Sequence, residues 1–358
     1  MDDFRLDAAS GNASDFYLMD DSEKASCFEA LAREALGCWA LSSADIRLIK
    51  QRENAVFAVT TGDGKRYAMR IHRAGYHTDG ELSSELEWMR ALNEFGVRTP
   101  GVVPATDGGL FQTVNVPPIP EPRQVDVLSW IDGVAIGSIE DGVEDVTVVA
   151  QSYHLVGRLV ARMHQFARQW PPPEGFIRHE WDEDGLLGAE PWWGQFWELD
   201  ALDSSQRDLL QRARQAAQLE LTVYGKSADR YGLIHADPLP ENFLRGDDGE
   251  IRVIDFDDGG FGWFIFDFAT ALFFHLGEPW FDDLQAAMLA GYREVEELPP
   301  ELEARLPLFL LLRGFSYLGW VHTRKETGTA RELTPMLVDG VTALANDYLG
   351  INHLNDNR

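Results

Sequence analysis

Cysteine is nearly absent from this chain: among 358 residues only Cys27 and Cys38 carry thiols, near the two ends of one helix-like stretch. That is no disulfide framework, and it suits two buried thiols in a reducing compartment. Basic residues are scarce too, 31 Lys plus Arg against 59 Asp plus Glu, for a formal net charge of −28. A field of that sign repels phosphate backbones and anionic lipid, so neither nucleic acid nor a membrane surface is expected as a partner. It leaves open plain solubility, adaptation to salt, or attraction of a cationic small molecule. Long hydrophobic runs are missing as well. The apolar stretch at residues 306–318 is broken by Arg313 and is too short to span a bilayer. The opening MDDFRLDAASGNASDF has neither a basic n-region nor an apolar h-region, so it is not read as a secretory signal and the expected location is the cytoplasm.

What is present has a globular balance, with 45% hydrophobic and 25% charged residues. The length allows two or three lobes of roughly 100–200 residues each. Residues 1–25 read as an acidic leader expected to be poorly ordered, with Asp2, Asp3, Asp7, Asp15, Asp20, Asp21 and Glu23 and few large apolar side chains. A helix is expected at about 22–36. Three β-like runs follow at 46–50, 55–60 and 66–72, turning near Glu53 and Asn54 and at Gly62-Asp63-Gly64, which makes an antiparallel meander. Leu82, Leu86, Met89 and Leu92 recur at helical spacing within 81–95, and Gly96 ends that helix. Further strands are expected at 102–103 with 110–114 and at 125–130, around a proline-rich connector at 117–122.

Beyond residue 132 the pattern becomes helical, at 146–166, 204–221, 280–296, 301–323 and 334–348. One β-rich island interrupts it at 231–258. The fold class read from this order is α+β and bilobal: a small β-rich N-lobe over residues 26–132 and a mainly helical C-lobe over 133–358.

The island carries the chemistry. His235, Asp237 and Asn242 stand as H-x-D-x-x-x-x-N between two apolar strands, and Asp255 follows in Val253-Ile254-Asp255-Phe256-Asp257. Taken singly, Asp and Asn are common turn residues. Together, two carboxylates and a carboxamide suit Mg2+, a hard cation that takes oxygen ligands and keeps waters and substrate phosphates in its shell. If Asn242 and Asp255 take the metal, Asp237 is left facing an acceptor hydroxyl, the division of labour of the kinase H-R-D-x-x-x-x-N and D-F-G motifs.

HADPLPENF, VIDFDD and FGWFIFDFATAL, in that order, resemble the aminoglycoside phosphotransferase family, small-molecule kinases related to choline and homoserine kinases, over about residues 43–325. The resemblance implies a protein-kinase-like fold with nucleotide bound between the lobes. It makes Asp237 the catalytic aspartate, Asn242 and Asp255 the magnesium ligands, Asp267 a brace for the catalytic loop and His164 structural. In the N-lobe, Arg70 stands where a kinase has its phosphate-binding Lys, and Glu85 on the next helix is its ion-pair partner. An Arg fork grips phosphate oxygens bidentately.

Two departures from the family pattern are visible. The turn Gln51-Arg52-Glu53-Asn54-Ala55 has no glycine where a glycine-rich loop would cover the phosphates, and Pro238-Leu239-Pro240-Glu241 replaces the family's frequent Leu-His-Pro-Gly. The prolines fix φ and stiffen the loop. The expected activity is transfer of the γ-phosphoryl group of ATP or GTP to a hydroxyl of a small molecule, an amine-bearing alcohol among the candidates. The alternatives are a non-catalytic nucleotide-binding module and a protein kinase. The missing glycine-rich loop and A-P-E segment speak against the last. His235 is read as a brace under the loop, Asp257 and Asp258 as solvated, and the acidic stretch at 278–303 as a solvated helix face. Trp181, Trp192, Trp193 and Trp197 are read as packing, with an aromatic wall for an ammonium group as the alternative.

Overall fold

The computed structural model describes residues 13–51, 54–138 and 145–355. Two compact units divide the chain. The first holds residues 1–94, 99–132 and 175–177, and the second holds 95–98, 133–174 and 178–358.

Unit 1 begins with helices α1 (Ala13–Leu18) and α2 (Asp21–Ala35). Residues 1–12 of the acidic leader lie outside the described residues. The rest of it is helical, because Asp20 and Glu23 form a reciprocal capping box that satisfies the first amides of α2. Phe16 is buried, which ties this segment to the core. After a 3₁₀ turn at Leu36–Trp39 come strands β1 (Asp45–Gln51), β2 (Ala55–Thr60) and β3 (Arg66–Ile71), helix α3 (Asp79–Phe95), and strands β4 (Phe111–Val114) and β5 (Arg123–Ser129). The strands form one antiparallel sheet in the order β1-β2-β3-β5-β4, so the expected meander is present. Its β2–β3 turn closes through Gly64, at φ 84°. The core of this unit joins Leu31, Ala35, Leu36 and Trp39 to Phe57, Val59, Met69 and Val127 of the sheet. Both cysteines are only half-buried and free, Cys27 on α2 and Cys38 in the 3₁₀ turn, which corrects the expectation of buried thiols on one helix.

Unit 2 contains β6 (Val134–Ala135), α4 (Val146–Gln169), β7 (Glu180–Trp181), α5 (Glu183–Leu187), α6 (Ser204–Tyr224), β8 (Tyr231–Ile234), β9 (Phe243–Arg245), β10 (Ile251–Val253) and β11 (Gly260–Trp263). The chain continues through α7 (Phe264–Leu272), α8 (Phe281–Arg293), α9 (Pro300–Glu303), α10 (Leu306–Thr323) and α11 (Gly328–Asn355). Two small sheets, β10-β9-β6 and β7-β11-β8, make up the β island and its surroundings. The single helix expected at 301–323 is two, because the chain turns at Ala304 and Arg305 and Pro307 restarts it in the first turn of α10, where a missing N–H costs nothing. The acidic side chains of the 278–303 segment are mostly exposed; Glu294 pairs with His154 and Arg158 of α4, and Glu296 with Arg168. Among the described residues no helix is long and apolar enough to cross a membrane.

Helices α4 and α8 meet at two glycines that admit no side chain. A Cβ on Gly157 would land on the carbonyl oxygen of Met288, and one on Gly291 on that of His154. Gly157→Ala is therefore expected to destabilise unit 2 by about 1–3 kcal/mol or more, as overpacking does when the obstacle is backbone. Thermal unfolding checks this, and an unchanged midpoint would contradict it.

Candidate active site

The loop of unit 2 that carries His235, Asp237 and Asn242 leaves β8 at His235 and reaches β9 through a 3₁₀ turn at Pro240–Asn242. Its start is held by one buried carboxylate: Asp267 of α7 accepts the amide N–H of His235 at 3.2 Å and of Ala236 at 2.7 Å, allowing Ala236 its left-handed φ of 62°. His164 of α4 meets the same carboxylate through Nε2 at 3.0 Å and Tyr292 through Nδ1 at 3.2 Å. Burial pushes the His164 imidazole down in pKa, with Asp267 opposing, so it serves as a structural link. His235 is fully buried beneath the loop. Its Nε2 donates to the Ile254 carbonyl at 3.0 Å and its Nδ1 accepts the Asp237 amide at 3.3 Å, which fixes the neutral Nε2–H tautomer and makes the residue a brace.

Asp237 and Asn242 are brought together by this loop. The Asn242 Nδ2 donates to both the carbonyl and the Oδ2 of Asp237, each at 2.9 Å. The amide oxygen of Asn242 is thereby turned into an acceptor for something other than Asp237. On the other carboxylate oxygen, Oδ1, stands Arg313 of α10, whose Nη2 is 3.4 Å away. Burial pushes the Asp237 carboxyl up to about 7; Arg313 and Asn242 pull against this, while Asp255 and Glu241 add to it. The side chain is still 21% exposed.

Asp255 follows β10, is exposed, and has a left-handed φ of 66°. A non-glycine residue holds that conformation at a cost, so the surrounding structure must impose it. The segment leading into β7 does so. Arg178 donates to the carbonyls of Phe256 (3.2 Å), Asp257 (2.6 Å) and Gly259 (2.6 Å), while His179 and Trp181 both donate to that of Asp258 (3.0 and 2.9 Å). The four consecutive carbonyls of residues 256–259 are thus pinned by side chains from residues 178–181. Asp257 is buried within this loop, which corrects the expectation that it is solvated.

In unit 1, Arg70 on β3 and Glu85 on α3 form the expected pair, Nη1 to Oε1 at 2.8 Å. The sequence reading missed their third member. Asp126, opposite Arg70 on β5, takes its Nε at 3.0 Å and its Nη2 at 2.6 Å in a bidentate fork, and also meets His72 Nε2 at 2.8 Å. Burial pushes the Asp126 carboxyl up, but Arg70 and His72 outweigh it and hold it at about 2. Arg52 and Glu53 of the glycine-free turn lie outside the described residues.

The tryptophans pack. Trp181 stacks on Phe266 and meets Trp193 edge-on, and Trp192 stacks on His179. The cations they face belong to this chain: Arg313 lies over Trp193 and Arg214 over Trp197. Arg313, Arg178 and Asp126 are the residues of these clusters that sequence reading passed over. For Arg313 a signal existed, as the one charge inside an apolar run.

The fold is that of the protein-kinase-like phosphotransferases. Residues 45–305 match the model of the phosphotransferase enzyme family, and the chain belongs to that family. Its curated relatives include the amicoumacin kinase of Bacillus subtilis (strain 168), 26% identical over 315 residues that cover 85% of this chain and 88% of the relative. Among solved structures, a microcompartment-associated aminopropanol kinase superposes with a TM-score of 0.79 at 34% identity, covering 90% of this chain and 98% of the other. An amicoumacin kinase in complex with AMP-PNP, Ca2+ and Ami superposes with a TM-score of 0.70 at 21% identity, covering 90% and 95%. The chain is a small-molecule kinase, a phosphotransferase with an alcohol group as acceptor.

Proposed function

We propose that the protein moves the γ-phosphoryl group of ATP or GTP to a hydroxyl of a small amine-bearing alcohol, with Asp237 as the catalytic aspartate. The observation that carries this reading is the carboxylate of Asp237 itself, held on one oxygen by Asn242 and faced on the other by Arg313 while its side chain stays open to a hydroxyl. Asp237 orients the attacking oxygen and accepts its proton. Because phosphoryl transfer has a loose transition state, positioning of that oxygen matters more than the strength of the base.

Asn242 and Asp255 fit a hard divalent cation: one offers an amide oxygen that its own Nδ2 bonds turn away from Asp237, the other an exposed carboxylate. The charges agree, since Asp255 and Glu241 both crowd Asp237 with negative charge that a cation would offset. Mg2+ bound there would neutralise the phosphate oxygens during transfer. Arg70 keeps the assignment to the nucleotide phosphates, but its Nε and Nη2 fork is taken by Asp126 and its Nη1 by Glu85, so the bidentate grip expected from the sequence is not open to it and its role is to bring positive charge. The amine in the acceptor is supported by the aminopropanol kinase likeness and by the net charge of −28.

The test is Mg2+-dependent release of ADP or GDP over a panel of amino alcohols, aminoglycosides and sugars, with Asp237→Asn as control. An amino alcohol is expected to stimulate the wild type alone. Stimulation by sugars only would overturn the acceptor class. Nucleotide binding without turnover on any acceptor would favour a binding module.

A further inference from the structure

Arg313 is the one Arg or Lys of α10, and it sits near the middle of a helix that is otherwise mostly apolar. Its side chain is fully buried. Three aromatic rings enclose the guanidinium, with their centroids 4.2 Å (Tyr317), 4.6 Å (Trp193) and 5.5 Å (Phe266) from its carbon. The Nη2 donates to the Tyr317 hydroxyl at 3.0 Å and faces Asp237 Oδ1 at 3.4 Å, while Nε and Nη1 are buried without a hydrogen-bond partner. A buried cation with two unsatisfied nitrogens is costly to keep, and a Leu or Met would fill the same space in an apolar helix at less cost.

What the charge does there is set by its neighbours. Asp255 and Glu241 bring negative charge toward Asp237, and Arg313 is the cation that opposes them. Asn242 already fixes Oδ2 of the aspartate, so a second donor on Oδ1 leaves the carboxylate one orientation. Because the guanidinium is closed off by aromatic faces, it reaches the reaction through Asp237 and not by touching acceptor or phosphate.

Resting on the assignment of Asp237 as catalytic aspartate, we propose that Arg313 is its positioning residue, held in a Trp193–Phe266–Tyr317 cage so that the carboxylate meets the acceptor hydroxyl in one fixed orientation. Arg313→Met is expected to lower kcat by about 10–100-fold, in line with the cost of small misplacements of reacting groups, and to change the KM of nucleotide and acceptor by less than about threefold. Arg313→Lys keeps the charge but loses the planar stack, and falls between wild type and Met.

The deciding measurement is the double-mutant cycle. In the Asp237→Asn background, Arg313→Met is expected to change the residual kcat by less than about threefold, since the group it positions is gone. The same factor in both backgrounds, a loss confined to KM, or wild-type turnover by Arg313→Met would overturn the proposal. If the Met variant does not fold, Arg313→Lys carries the same cycle. Wild-type turnover by Asp237→Asn alone would instead overturn the catalytic reading on which the proposal rests.

Discussion

Asp237→Asn is expected to lower kcat by about 10²–10⁴-fold, the range a positioned general base supplies, and to leave nucleotide affinity within about twofold. It is also expected to make the protein more stable at neutral and alkaline pH. The two effects share a cause. The Asp237 carboxylate is desolvated and crowded by Asp255 and Glu241, which holds its carboxyl at about 7 despite Arg313 and Asn242. A carboxyl raised in the folded state keeps a proton that the unfolded chain has released, so stability falls as pH rises from about 4 through about 7. The full span is roughly 3 pH units, or about 4 kcal/mol. A neutral amide escapes that loss but has one acceptor oxygen for two donors, Asn242 and Arg313, so the net gain is expected at about 1–2 kcal/mol above pH 7, vanishing below pH 4. Denaturant unfolding of the ligand-free protein at pH 5 and pH 8, with steady-state kinetics on the same samples, checks both. An inactive variant less stable than wild type at pH 8 would show that Asp237 holds the loop together and is not strained by it.

The parts of this molecule that could be read from sequence are those whose signal is local. Strands β1 to β3 announce themselves by short apolar runs and the Gly62-Asp63-Gly64 turn, and α3 by Leu82, Leu86, Met89 and Leu92. The spacing of His235, Asp237, Asn242 and Asp255 is local too, since one loop and one hairpin carry all four. Asp126 was hidden for the opposite reason. It meets Arg70 only through the pairing of β3 with β5, 56 residues apart, and a strand aspartate among apolar neighbours has no sequence feature that names its partner. Arg178 lies in an irregular stretch before a two-residue strand, where periodicity says nothing. Arg313 was noticed for breaking an apolar run, which excluded a membrane span. The same observation, a charge where burial is certain, also marks a residue that must be paired with something.

Asp126→Asn is expected to unravel the sheet around β3 and β5, at a cost of about 3–5 kcal/mol, because it strands Arg70 and His72 in the interior of unit 1. The carboxylate takes the Nε and Nη2 of Arg70 on its two oxygens and His72 on one of them, and an amide would turn N–H groups toward N–H groups at one of these contacts. Glu85 keeps one nitrogen of Arg70 and cannot replace the fork. The pH dependence carries the opposite sign from that at Asp237. The Asp126 carboxyl is held at about 2, below its unfolded value of about 3.9, so it contributes stability that is complete above about pH 4 and is lost as pH falls toward 2. The span is about 2 pH units, or about 3 kcal/mol. Amide hydrogen exchange of β3 and β5 is expected to speed up about 100-fold or more in the variant at pH 6, with denaturant unfolding showing the gap from wild type narrowing between pH 4 and pH 2. A gap that stays constant across that range would mean that the Asp126 carboxylate contributes shape to the sheet and no charge.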